Sequence, residues 1–202
     1  HLDAHRRKPS VGVVIGQILQ PGETPMSVNY KPRKSGLKAF MDFPFRSTEG
    51  CMVENAMAGN MSLKRETALR HGGFDQQFIP PVAARFETEF AKRLVKSGEK
   101  IWFEPSASIR HLANSSGGTR AKGSHLNSAQ PYFGFGDYYY ALKHGAPLDC
   151  MGYCLTRFFS RGAHQIPPNS PVVYSSQMAR RNSCFLYGFK GLSPTAKINS
   201  RE

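Results

Sequence analysis

The stretch "SVGVVIGQIL", residues 10 to 19, sets the strongest constraint on what this chain can fold into. It is a β-branched, aliphatic run bounded by Pro9 on one side and by Pro21-Gly22 on the other. A run this apolar, stopped at both ends by residues that break regular structure, predicts a buried β-strand. A chain of 202 residues can bury such a strand in one ordinary domain and still carry an appendage. Hydrophobic residues at 40% and charged residues at 20% are globular proportions, which excludes a disordered chain.

The rest of the chain supplies elements to pack around that strand. Residues 20–50, rich in Pro, Gly, Ser and Lys, predict a long irregular loop, of the kind that is functional or mobile. "AMAGNMSLK" predicts a short strand in which Gly59 permits a close backbone approach. "SLKRETALRHGG" predicts a helix with Ser62 as its N-cap, Leu63, Ala68 and Leu69 toward the core, and Gly72-Gly73 as its stop. After a loop through Pro80-Pro81, a helix is predicted from Phe86 to Ser97, closed by Gly98, with Phe86, Phe90 and Leu94 on one apolar stripe. "KIWFEP" predicts a strand ended by Pro105, "ASIRHL" a further short extended piece, and "ANSSGGTRAKGSH" a polar loop. From about residue 131 the chain turns aromatic and basic, so the expected division is a domain over 1–130 and a helical tail over 131–202. The opening "HLDAHRRKP" has the character of a helix already under way.

Lys and Arg number 27 against 14 Asp and Glu, a formal charge of +13. That excess calls for a polyanionic partner: nucleic acid, an anionic membrane surface or a phosphorylated substrate. No nucleic-acid motif is present and the cations are scattered, which argues against nucleic acid. "CLTRFFSRG" and "QMARRNSCFLYGFKG" combine cations with aromatics as interfacial helices do, although packing on the domain would use the same residues. Cys51, Cys150, Cys154 and Cys184 complete no zinc pattern and read as free thiols of a reducing compartment. No apolar run approaches the length of a membrane span.

Glu87 and Glu89 allow two readings. Glu87 in a first helical turn is favoured by the helix dipole, and Glu89 four residues before Arg93 can form a surface ion pair. A general base, in turn, belongs on a rigid element at a cleft edge, and Glu87 opens an anchored helix after a Pro-Pro loop. His111 ends an extended segment just before "SSGGTR"; it reads either as a satisfied structural histidine or as a metal ligand beside a diphosphate.

In chain order, "GVVIGQILQPGE", "AGNMSLKRETALRHGGFDQQF", "RFETEFAKRLVKSGEKIWFEPSASIRHL" and "SSGGTR" resemble the second half of a family-2 glycosyltransferase catalytic domain. The resemblance covers residues 1 to about 125. It implies a GT-A-type fold, an α/β architecture with a Rossmann-like mixed sheet and flanking helices. The implied activity is transfer of a sugar from a nucleotide-sugar donor to the hydroxyl of a glycan or lipid-linked acceptor, with inversion and with Mg²⁺ or Mn²⁺. The implied location is cytoplasmic, peripheral at the inner face of the membrane. In that family an Asp-x-Asp motif for metal and donor precedes the matched segment. None occurs here, so the expectation is the C-terminal half of a longer enzyme. By position, Glu87 matches the catalytic base, with Glu89 as the alternative, because the family's acidic pair is here Phe86-Glu87. His111 matches the metal-contacting histidine, Thr119 and Arg120 fall beside the donor diphosphate, and Gly59 and Asn60 fall on the acceptor side. The readings left beside this one are a basic module binding nucleic acid or a membrane surface, and an inactive transferase fragment.

Overall fold

The computed structural model describes residues 1–31, 37, 43–78, 84–113 and 132–163, the last stretch with its side chains from 134 to 155. The chain divides into two compact units, His1–Gln76 with Arg85–Gly117, and Gln77–Ala84 with Gly118–Glu202. The second unit therefore takes in a short segment well before residue 131.

The first unit is mixed α/β. Helix α1 (Leu2–Arg7) leads into strand β1 (Val13–Leu19). Then come β2 (Cys51–Val53), a 3₁₀ turn (Ala58–Asn60), β3 (Met61–Leu63), α2 (Arg65–Arg70), α3 (Phe86–Lys96) and β4 (Ile101–Arg110). The sheet order is β2-β4-β1-β3, with β1 and β4 parallel and the two short edge strands antiparallel to them. Every residue of β1 is buried, because helices cover both faces of the central pair. On one face Val13, Ile15, Ile101 and Phe103 pack with Phe90, Ala91 and Leu94 of α3. On the other, Val14 packs with Val11 and Ala4 of α1, edged by Trp102. The Arg7 guanidinium bonds Glu104 at 2.9 Å, and the Lys8 ammonium sits 3.7 Å over the Trp102 ring, so α1 is fastened as well as packed.

Three local expectations change. Ser62 does not cap a helix: it lies in β3 opposite Val14, and its hydroxyl is shared by His1 and His5. Helix α2 starts later, and Leu69 is 63% exposed while Thr67 is the buried member, so the predicted core face of that helix is turned by tertiary packing. Pro105 does not end a strand. β4 runs through it to Arg110, because the ladder to β1 is already irregular there and no backbone N–H is required of a proline. The described part of 20–50 is also packed rather than loose. Phe43 meets Tyr30, Phe45 and Phe103 edge-on at 4.7 to 5.3 Å, and Met26 bridges to Ser47.

In the second unit α4 (Tyr132–His144) and α5 (Pro147–Ala163) form a helical pair. Tyr138, Tyr139, Tyr140, Tyr153 and Cys154 are buried, and the Tyr153 hydroxyl donates to Asp137 at 3.0 Å. Phe78, from the short early segment, packs edge-on against Tyr139. Among the described residues no helix is long and apolar enough to cross a membrane.

Candidate functional site

The parallel pair β1/β4 gives the sheet a polarity, and crevices in α/β sheets open at the carboxyl ends of such strands. His111 stands one residue past that end of β4, its backbone N–H donating to the Leu19 carbonyl at the end of β1 (2.8 Å). The imidazole Nδ1 is buried and has no hydrogen-bond partner among the described residues, a state that polar groups rarely keep without a ligand or water.

Glu87 reaches the same side of the sheet by connectivity. The short link Ser97–Lys100 turns the chain back from α3 into β4, so the start of α3 lies toward the carboxyl end of the strand. From Ile101 to Arg110 β4 takes nine steps where β1 takes six, Val13 to Leu19, because the register slips between Gly16 and Ile18. That bulge folds surplus strand away and draws His111 back toward the helix start. Helical rise of 1.5 Å and strand rise of 3.3 Å per residue put Glu87 and His111 roughly 10 Å apart along the sheet axis.

The bulge is held by Asn60. Its amide nitrogen donates to the Gln17 carbonyl of β1 (2.9 Å) and the Ala107 carbonyl of β4 (2.7 Å), while its oxygen accepts from His1 at 2.9 Å. Both polar atoms of the Asn60 side chain are thus engaged in joining the start of α1, β1 and β4, which makes it a structural bracket. Gly59, expected to allow a close approach, has open space where a Cβ would stand. The close approach is at Gly16 instead, where a Cβ would strike the Ala107 carbonyl and the Asn60 amide.

The two glutamates part company here. Glu89 is fully buried, and both its oxygens accept from Arg93 Nε at 2.8 and 3.0 Å. The predicted pair exists, but it is an interior pair and not a surface one. Glu87 is half-buried, and burial pushes its carboxyl above the ordinary value; a hydrogen bond from its own backbone and the nearby charge of Arg85 oppose this in part. Arg85 precedes the helix with a left-handed φ of 74° and no side-chain cap. Such strain in a non-glycine residue gathers at functional sites.

Thr119, Arg120 and the "SSGGTR" loop lie outside the described residues, as do Cys184 and the tail beyond 163. Among the described residues no group of three or more His, Cys, Asp and Glu could hold a metal ion. Mg²⁺ and Mn²⁺ favour oxygen donors, and one imidazole does not make such a site, so the described residues alone do not fit a metal centre. Sequence reasoning missed the bulge and its Asn60 bracket; its available signal was a glycine inside a strand, Gly16. It also missed the left-handed Arg85, for which the residue type carries no signal. No protein-family model matches the chain, and neither a curated protein nor a solved structure does.

Proposed function

We propose that this chain is the acceptor-side part of a GT-A-type, nucleotide-sugar-dependent glycosyltransferase, with Glu87 as the general base. The observation that carries the reading is Glu87 itself: a carboxyl whose proton affinity burial has raised, at the start of a packed helix on the carboxyl-end side of a parallel strand pair. In this reading Glu87 takes the proton of the acceptor hydroxyl as that oxygen bonds to the anomeric carbon. The bond from that carbon to the donor's diphosphate breaks, and the nucleoside diphosphate leaves with the electron pair. Attack opposite the leaving group inverts the anomeric centre. Thr119, Arg120 and His111 would lie toward the donor diphosphate, and a divalent cation bound with the donor would supply charge neutralisation of the leaving group.

The test is the protein expressed from its whole open reading frame, offered a panel of uridine, guanosine and thymidine diphosphate sugars, with released nucleotide as the readout. Glu87→Gln is expected to lower turnover by at least about 10²-fold, the ordinary contribution of a general base, while leaving donor binding nearly unchanged. A Glu87→Gln protein with normal turnover would sink the assignment.

One observation favours an anionic membrane surface as an additional partner. On α5, Leu148 is 78% exposed, Met151 56% and Leu155 49%, at spacings that put them on one helical face. Residues 118–202 carry ten Lys and Arg against three Asp and Glu. Apolar side chains together with a cationic excess suit a helix that lies on anionic lipid, close to a lipid-linked acceptor.

A further inference from the structure

Arg93 uses three nitrogens at once. Besides Nε on Glu89, its Nη1 donates to the His71 carbonyl at 2.5 Å and its Nη2 to the Gly73 carbonyl at 2.6 Å. Those carbonyls are presented by Gly72 and Gly73, both left-handed with φ of 69° and 64°, a conformation that glycine adopts readily. Phe74 follows, and its ring meets Phe86 and Phe90 edge-on, at centroid distances of 5.0 and 4.9 Å. The guanidinium also lies 5.2 Å from the centre of the Phe90 ring. A loop distant in sequence is in this way fastened onto the first turn of α3, the turn that carries Glu87.

We propose that Glu89 and Arg93 are positioning residues for Glu87: their buried pair clamps the His71–Phe74 loop onto the first turn of α3 and so holds the Glu87 carboxyl in one place, sheltered from water. The inference rests on reading Glu87 as the acceptor-activating base. It also removes Glu89 from that role, since a fully buried carboxylate gripped on both oxygens by one guanidinium presents no face to an acceptor. Lysine in place of Arg93 would keep the charge but lose the planar fork that reaches one acid and two carbonyls together.

The experiment follows the Glu87 carboxyl by ¹³C NMR in the glutamate-labelled chain, with its resonance assigned by disappearance in Glu87→Gln. Arg93→Lys loosens the clamp at its centre. Phe74→Ala removes a partly exposed ring and leaves the ion pair intact. Both are expected to move the Glu87 titration midpoint down toward its ordinary value of 4.5. If Arg93→Lys does not fold, Gly73→Ala takes its place, because it disturbs a carbonyl that Arg93 holds. An unmoved Glu87 midpoint in the folded variants overturns the proposal. In the transfer assay Arg93→Lys should lower kcat with KM little changed, by on the order of 10²-fold if the base moves about 1 Å. The two readings fail separately. A shifted midpoint with Glu87→Gln fully active leaves the clamp standing and removes the base; an unmoved midpoint with Glu87→Gln inactive does the reverse.

Discussion

Burial raises the Glu87 carboxyl above its ordinary value of 4.5, so the folded protein holds a proton there more tightly than the unfolded chain does. The sign follows directly. The stabilising contribution of the protonated group is complete below about pH 4.5 and is lost as pH rises through the higher, folded value. Above about pH 4.5 the buried Glu87 carboxyl therefore costs the folded state stability. Glu87→Gln is expected to melt at a higher temperature than the parent at pH 7, with the gap closing near pH 4, as thermal unfolding at the two pH values would show. A lower melting temperature at pH 7 would mean that the carboxylate is well solvated or paired. Only part of this contrast is legible locally. The spacing of Glu89 and Arg93 is visible in five letters of sequence, but the depth of the pair depends on a loop about 20 residues away. Phe86, where a second acid is expected from the resemblance, is the ring against which Phe74 rests.

Among the elements, β1 and α3 with its Gly98 stop are readable from sequence, because periodicity and local terminators define them. The continuity of β4 is not, since a proline inside an extended run signals a stop unless the partner strand is known to slip opposite it. The slip itself depends on Asn60, which is brought to the sheet by the turn before β3. Removing the bracket by Asn60→Ala would take a donor from two inward carbonyls and is expected to lower stability by about 2 kcal/mol or more, read by denaturant unfolding. Gly16→Ala should do at least as much harm, because its Cβ would strike both the Ala107 carbonyl, which is backbone and cannot turn aside, and the Asn60 side chain, which is held by its own hydrogen bonds. Gly59→Ala, with nothing within 4 Å, should be close to neutral. Equal effects at Gly16 and Gly59 would contradict the bulge geometry.

For the whole molecule, the charge of +13 and the apolar face of α5 lead to one measurement. The protein is expected to sediment with vesicles containing phosphatidylserine and not with pure phosphatidylcholine, and to be released by salt as exposed charges are screened. Replacing Leu148, Met151 and Leu155 together by serine should weaken that binding. Retention of full binding by the triple variant would leave charge alone as the cause. Helices are expected from about residue 131 and are present over 132–163, whereas membership of a unit is decided by contacts far apart in sequence. Residues 77–84 belong with the helical pair: Phe78 is buried against Tyr139, and a Cβ at Gly136 would collide with the Ala84 backbone. The two units therefore interleave in sequence, the chain passing from the first to the second, back, and out again. A polypeptide cut at residue 130 would not be the first unit alone. It would keep residues 77–84 and lose the helices they pack on, with Phe78 bared only seven residues ahead of the strained Arg85 that opens α3.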